Sequence, residues 1–453
     1  MNNQKQKMEL LGNVPVAKAL LAMGIPTMIG MLINALYNLV DAYFVGGLGE
    51  SQMGAISIVY PLGQVVVGLG LLFGNGAASY ISRLLGQGKE EQANKVASTS
   101  LYCSLTIGII LILFCVVFLK PILILLGATK SILPYAMTYA GIYIISCIFN
   151  VFNVTMNNIV TSEGAAKTTM LALLTGAILN IALDPLFIYI FDLGVAGAAI
   201  ATAISQVVST LVYLYYLFSK KSIFRFHLKD CSFSKEIFSE IFKIGVPTLV
   251  FQLLTSLSIS LINNASGTYG DAAIAGMGVV IRLVSMGSLT VFGFIKGFQP
   301  IAGYSYGAKK YERLRQAIKT SILWSTIFCV VVGFGFFLFP TQIVSQFTTG
   351  NIEMIHIGAN SLRINGITFM LFGYYTVYSS LFLALGKGKE GFLLGACRQG
   401  ICFIPVILIL PSIWGLNGIL YAQPIADVLS FLISLFMALS LHKQLKLSEV
   451  QNN

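Results

Sequence analysis

Charge is scarce in this sequence. Only 10% of its 453 residues are Asp, Glu, Lys or Arg, whereas 56% are hydrophobic. A soluble globular chain carries about 25% charged and roughly 45 to 50% apolar residues. A chain with so few charges cannot cover a folded surface with polar groups, and the composition therefore predicts a protein that lies in a lipid bilayer.

Metal-binding and catalytic patterns are also lacking. The seven cysteines form no C-x-x-C pair, and the three histidines (His227, His356, His442) lie near the ends of hydrophobic runs. No nucleophile elbow and no ligand-spaced His or Cys set is present, so we expect a protein that is not an enzyme and that holds no cofactor. Segments of alternating polarity are absent too, which argues against a membrane β-barrel.

Long uncharged runs fill most of the chain. Residues 101–119 and 321–339 are each 19 residues without a charge, long enough for a helix to cross a hydrocarbon core of roughly 30 Å. Helices are expected because lipid leaves no water to satisfy open backbone groups. The sequence predicts twelve such spans, at residues 16–45, 53–81, 96–119, 131–158, 168–191, 195–218, 238–265, 272–303, 317–339, 354–383, 392–412 and 416–440.

Lysine and arginine are distributed unevenly between these spans. Alternate connecting segments, counted from the amino terminus, hold 22 of the 28 basic residues, while the segments on the other side hold only Lys120 and Lys130. The positive-inside rule then predicts a multi-pass protein of the cell membrane with both termini in the cytoplasm. The net charge of +11 is a consequence of this topology, and we expect no nucleic-acid partner.

The chain repeats itself at an offset of 221 residues. Residues 24–27 (Gly-Ile-Pro-Thr) match residues 245–248 (Gly-Val-Pro-Thr), and Gly86 matches Gly307. Because each half has six spans, both halves begin on the same side, and the repeat is parallel about an axis along the membrane normal. The predicted domains are a six-helix bundle at 1–219, a cytoplasmic linker at 220–236 and a second six-helix bundle at 237–453.

Two acids lie within spans of the first half. Asp41 ends a polar stripe on the first span that includes Tyr37, and Asp184 follows Asn180 by one turn on the fifth span. A carboxylate inside a membrane costs roughly 2.5 to 3.5 kcal/mol, so it is expected to face protein or a wet cavity. Thr202 on the sixth span and Asn157 on the fourth offer further oxygens.

Such a set of oxygens has three interpretations. Carboxylate, amide and hydroxyl oxygens suit a hard cation, and two acids held close together suit a proton, because both cannot easily ionise. An internal hydrogen-bond network that only holds helices together is the third. The second half does not repeat the acids, since Ile262 and Pro405 stand at the positions of Asp41 and Asp184.

The second half instead carries basic residues within its spans. Asp427 is its one intramembrane acid, and it could pair with Arg398 on the preceding span. The sequence predicts a second-half charge network composed of Arg282, Lys296, Arg363, Arg398 and Asp427.

Several short motifs carry a family resemblance. They are residues 24–30 (GIPTMIG), 37–41 (YNLVD), 83–86 (RLLG), 162–164 (SEG) and 179–185 (LNIALDP). Together they resemble the MATE multidrug exporters, and the MepA- and DinF-like branch in particular. The resemblance implies an all-α polytopic membrane protein with twelve transmembrane helices in two pseudo-symmetric six-helix bundles.

The resemblance also implies a function and a site. Members are secondary active antiporters that export organic, often cationic compounds in exchange for Na⁺ or H⁺ by alternating access. Small-molecule drugs and the lipid bilayer are the partners that we expect, and we expect a monomer. The family's cation site carries over to Asp41, Asn180, Asp184 and Thr202, which would be the ligands of Na⁺, with Tyr37 and Asn157 as neighbours.

A second function stays open. Flippases of lipid-linked saccharides belong to the same superfamily, and such a protein could use Arg282, Lys296 and Arg363 to hold a phosphate.

Overall fold

The computed structural model describes residues 2–347 and 352–450, and this part of the chain is helical without a strand. Short π-helical turns at Leu186–Ile190 and Cys397–Ile401 and a 3₁₀ turn at Leu228–Asp230 interrupt the α-helices. The α-helices are α1 (Asn2–Gly12), α2 (Val16–Gly46), α3 (Glu50–Gly86), α4 (Glu90–Val117), α5 (Leu119–Leu125), α6 (Leu133–Ser162), α7 (Ala166–Pro185), α8 (Gly194–Phe218), α9 (Lys235–Gly267), α10 (Asp271–Gly307), α11 (Tyr311–Leu338), α12 (Pro340–Ser345), α13 (Ile352–Ala384), α14 (Gly388–Ala396), α15 (Phe403–Trp414) and α16 (Leu416–Val450).

All twelve predicted spans are confirmed as helices long and apolar enough to cross a membrane. The fifth span joins α7 to the first π-helical turn, and the eleventh joins α14, the second π-helical turn and α15. Several helices are longer than the hydrophobic pattern predicts, because their polar end turns continue past the apolar stretch. The short helices α1, α5 and α12 were not predicted, since α1 is polar and the other two are one or two turns long.

The helices form two six-span bundles, as the repeat predicts. In the first bundle α6 packs against α3, α4 and α8, and in the second α13 packs against α10, α11 and α16. The last turns of α6 are enclosed on all sides, which agrees with the many small and polar residues there. Each bundle is thus built around the helix that lies fourth among its spans.

The first turns of α2 and α9 pack into the opposite bundle. Leu20 and Met23 of α2 share a buried cluster with Phe298 of α10, and Ile241 of α9 shares one with Phe73 of α3. The two bundles therefore exchange the beginnings of their first spans. The predicted division at the linker stays a prediction, and each packed unit in space includes a few turns from the other half.

The halves approach most closely where α3 and α10 end. A Cβ atom added to Gly86 would lie 2.2 Å from the carbonyl oxygen of Tyr304, and one added to Gly307 would lie 2.1 Å from that of Arg83. These two contacts are related by the 221-residue offset, so the pseudo-twofold axis passes between them. Glycine is required on both sides because any side chain would overlap a backbone atom.

Polar contacts join the halves at the same end of the molecule, which also carries both ends of the described chain and is called the terminal end below. Arg83 forms a 2.6 Å ion pair with Glu240, and further along α3 Ser79 donates to the carbonyl oxygen of Leu383 at 2.5 Å. Gln252 donates to Gln64 at 2.9 Å near the middle of the molecule.

Beyond Gln64 the halves separate. Pro61 lies 25 residues before Gly86, which is about seven turns, so both residues lie on one face of α3. Pro61 and its equivalent on α10, Arg282, are nevertheless exposed, as are Val65 and its equivalent Met286. The two halves thus enclose a cleft that is closed at the terminal end and open at the other.

We predict that replacing Gly307 by Val prevents closure of the terminal end. A side chain pressed against the Arg83 carbonyl costs about 1 to 3 kcal/mol, which raises the population with separated halves by roughly five- to hundredfold. The readout is labelling of Ser82→Cys, a position that is 2% exposed between the halves, by a water-soluble thiol reagent. Gly335→Val is the matched control, because a Cβ there would meet no atom of another described helix within 4 Å. Equal labelling in both variants would contradict the prediction.

Candidate functional site

Two carboxyl groups meet inside the first bundle. Asp41 of α2 and Asp184 of α7 lie in hydrogen-bonding contact, because α2 packs along α7. Asp184 is fully buried and Asp41 is half-buried. Asp184 stands at the end of α7, directly before Pro185 and the π-helical turn that continues the span.

Three neutral side chains surround this acid pair. The amide of Asn180 is assigned so that its nitrogen and its oxygen each have a hydrogen-bond partner. The nitrogen then donates to Oδ2 of Asp184 at 3.1 Å, and the oxygen accepts from the backbone N–H of Thr202 at 3.3 Å. The hydroxyl group of Tyr37 contacts that of Thr202. The structure therefore brings together five of the six residues expected at the cation site.

The acid pair has unfilled hydrogen-bonding capacity. Oδ1 of Asp41 and Oδ1 of Asp184 are both buried and have no hydrogen-bond partner among the described residues. A buried carboxylate oxygen without a partner is costly, so a proton shared by the pair or a bound cation would complete the site. No cluster of three or more His, Cys, Asp or Glu side chains occurs in the described part of the chain, and the donors present are those that suit a proton or a hard cation.

A cavity of about 50 Å³ lies beside the acid pair. Tyr37, Asn180 and Thr202 line one end of it, and Tyr213 of α8 lines it as well. A cavity of this volume with polar walls has room for more than one water molecule. Other polar residues of α6 and α8, including Asn153 and Gln206, line the same cavity.

Asn157 lies apart from the other predicted ligands. Its Nδ2 donates to the Tyr213 hydroxyl at 3.2 Å, and its Oδ1 accepts a hydrogen bond from Lys296 of α10. Asn157 therefore bonds to a residue that lines the cavity, Tyr213, and contacts neither acid. The sequence analysis missed this contact between the halves, although the repeat pairs Lys296 with Asn75, another residue that bonds across the interface.

Arg398 and Asp427 form a buried ion pair in the second bundle. Nε of Arg398 lies 2.8 Å from Oδ1 of Asp427, Gln423 donates to the same oxygen at 2.7 Å, and the guanidinium lies 4.6 Å from the centre of the Phe372 ring. The offset of 221 relates Arg398 to Ala177, Gln423 to Thr202 and Asp427 to Gln206. These three residues of the first half line its cavity. An ion pair thus occupies the region of the second bundle that corresponds to the cavity.

The five residues of the predicted second-half network do not form one cluster. Lys296 contacts the first bundle instead, and Arg282 and Arg363 are exposed with no ion pair to a described residue. Only Arg398 and Asp427 come together, because they lie on consecutive spans that pack side by side.

Twelve spans in two related bundles, a cleft between them and an acid pair in one of them define a polytopic membrane transport protein. A family model described as MatE matches residues 26–186 and 247–409. The two matches begin 221 residues apart, the same offset as the repeat. The chain belongs to the MatE family.

Similar proteins agree with this assignment. The chain is 33% identical over 438 residues to Multidrug export protein MepA of Staphylococcus aureus strain MRSA252, with 95% of both chains covered, and 33% identical over 447 residues to MepA of Staphylococcus saprophyticus, with 96% of both covered. A solved outward-facing MATE multidrug resistance transporter of the MOP superfamily is 28% identical, with a TM-score of 0.92 over 97% of this chain and 99% of that chain. The predicted family and fold are confirmed, and the relatives are transporters rather than enzymes.

We predict that Arg398→Met destabilises the protein. The substitution leaves Asp427 buried without its partner, which costs about 3 to 5 kcal/mol. Thermal unfolding of the purified protein in detergent should show a clearly lower midpoint. The double variant Arg398→Met with Asp427→Leu should regain most of the loss, since it leaves no unpaired charge. An unchanged midpoint in the single variant would contradict this account.

Proposed function

We propose that this protein is a secondary active multidrug efflux antiporter that exports organic, often cationic compounds in exchange for Na⁺ or H⁺. The observation that carries the proposal is the acid pair of Asp41 and Asp184, in which one oxygen of each carboxyl group is buried without a partner. The names of the curated relatives, which are multidrug export proteins, support the export of drugs. A single chain encloses the cleft, and we propose that it acts as a monomer.

The helix α2 links the acid pair to the interface between the halves. Asp41 lies near one end of α2, and near the other end the backbone nitrogen of Gly24 would lie 2.5 Å from a Cβ atom on Gly297 of α10. Pro26, inside α2 between these points, removes a backbone hydrogen bond and lets the helix bend. Ion binding at the acid pair would shift α2 relative to α7 and so favour one arrangement of the two halves over the other.

The proposed cycle alternates the cleft between the two sides. In the arrangement described above, the cleft is open at the end away from the termini, where a compound can leave. Loss of the contacts at the terminal end, including Arg83 with Glu240, would open the opposite side for loading. Binding of the ion from the outside and of the compound from the inside then couples the two movements.

We further propose that the protein lies in the cell membrane with both termini in the cytoplasm. The basic segments at the terminal end support this orientation through the positive-inside rule. In a cysteine-free background, Arg225→Cys in the linker should react with an impermeant thiol reagent only after the cells are permeabilised. Lys130→Cys should react in intact cells, and the reverse pattern would contradict the orientation.

The acid pair is tested by Asp41→Asn and, separately, Asp184→Asn. Each amide keeps the shape of the side chain but removes the charge, so neither variant can bind and release the coupling ion. We expect gradient-driven ethidium efflux from proteoliposomes to fall to the level of empty vesicles. Efflux at the wild-type rate in either variant would contradict the proposed role.

Asp192→Asn is the matched control for both variants. Asp192 is an exposed acid in the loop after the fifth span, and its positive φ of 53° is one that Asn also tolerates. Its efflux should equal that of the wild type. Imposing a Na⁺ gradient and a pH gradient separately in the same vesicles identifies the coupling ion, because only the coupled gradient drives efflux.

The flippase function stands as the second candidate because Arg282 is exposed on the face of α10 that lines the cleft and has no acidic partner among the described residues. Complementation of a glycolipid-export defect, without gradient-dependent ethidium efflux, would favour it over the antiporter.

A further inference from the structure

A small cavity lies between the halves at the terminal end, separate from the one beside the acid pair. Its volume is about 20 Å³, enough for a water molecule. Lys296 of α10 is the only charged residue that lines it among the described residues. The wall otherwise consists mainly of hydroxyl and amide side chains from α3, α6 and α10, including Asn75, Ser79, Asn158, Thr161 and Gln299.

The ammonium group of Lys296 is not neutralised. It donates to Oδ1 of Asn157, and no carboxylate of a described residue lies within 4 Å of it. An ammonium group offers three N–H donors and benefits most from an anionic acceptor. Lys296 is partly buried, and a charge within a membrane-spanning helix that lacks such a partner is costly and points to a function.

The fold itself does not require this charge. The repeat relates Lys296 to Asn75, a neutral residue that donates across the same interface to Thr248 at 2.8 Å. Two other cations at the terminal end share an acidic partner, since Glu240 pairs with Arg83 at 2.6 Å and with Lys243 at 3.2 Å. Lys296 differs from these two residues in having only a neutral acceptor.

Opening of the terminal end would release Lys296. Lys296 belongs to the second half and Asn157 to the first, so separation of the halves removes its acceptor and exposes the ammonium group to the entering compound. Gln299 lies three residues further along α10 and therefore on the same face. Its amide also lines the cavity and has no hydrogen-bond partner among the described residues.

We propose that Lys296 and Gln299 bind a carboxylate group of the transported compound when the terminal end is open. A carboxylate has two acceptor oxygens, which the ammonium and amide N–H groups can share. This inference rests on the proposed export function and names a substrate class for it: amphipathic compounds that carry a carboxylate, including zwitterions. Return of the halves to the arrangement seen here would replace the carboxylate by Asn157 and so favour release.

The test compares one compound with and without its anionic group. The probes are the zwitterionic fluoroquinolone norfloxacin and its methyl ester, which lacks the carboxylate but keeps the ring system and the amine. Binding is measured by fluorescence titration of the purified full-length protein, and transport by uptake into inside-out vesicles. Lys296→Gln should weaken norfloxacin binding about tenfold or more, the loss of one charge-assisted hydrogen bond, and leave the ester unchanged.

Two further variants exclude indirect effects. Lys296→Arg keeps the positive charge and should retain most of the preference for norfloxacin over its ester. Lys243→Gln removes a lysine of the same end that already pairs with Glu240, and it should bind both compounds as the wild type does.

Three results would contradict the proposal. If Lys296→Gln weakens the binding of norfloxacin and of its ester equally, the role of Lys296 is purely structural and the proposal is overturned. Unchanged norfloxacin binding in Lys296→Gln would also overturn it. So would a wild-type protein that binds the ester at least as tightly as norfloxacin. Ethidium efflux tests the export function independently. If efflux fails while the Lys296-dependent preference remains, the proposed function is wrong and the carboxylate site stands.

Discussion

The crossing of α3 and α10 at Gly86 and Gly307 is the contact on which the rest of this structure depends. Each glycine allows the other half's backbone to approach so closely that even a methyl group would overlap a carbonyl oxygen. This crossing lies at the terminal end of two long helices, and their opposite ends are apart. The direction of the cleft and the position of Lys296 between the halves agree with this contact.

The two bundles share the same helix arrangement, but the residues inside them differ. In the first bundle, polar residues surround a cavity beside Asp41 and Asp184. In the second, Arg398 and Asp427 fill the corresponding region and satisfy each other. The two related bundles therefore differ in this region: the first has a cavity there, and the second has an ion pair.

The sequence was sufficient to predict the fold, because twelve apolar spans and a repeat at one constant offset leave few arrangements. Helical spacing places Tyr37 with Asp41 and Asn180 with Asp184 on shared faces. The grouping of these four residues with Thr202 was what the family resemblance implied. The role of this group in coupling stays a prediction.

Contacts between the halves could not be predicted in the same way. Hydrophobic periodicity shows which face of a helix is buried, but not which residue of a distant span it meets. The bond from Lys296 to Asn157 was therefore missed, and Lys296 was grouped with the other basic residues of its own half. The polar helix α1 was missed for a related reason, because residues such as Leu11 become buried only when the second half packs over them.

The central claim is that the state of the acid pair decides which end of the cleft is open. Pulsed electron paramagnetic resonance measures it most directly, with one pair of spin labels at Val65 and Met286 across the open end and another at Gln87 and Ala308 across the terminal end. Filling the acid pair, by lower pH or by Na⁺, should shorten the first distance and lengthen the second, and the double variant Asp41→Asn with Asp184→Asn should not respond. Distances that change in the same direction, or that respond equally in the double variant, would contradict the account.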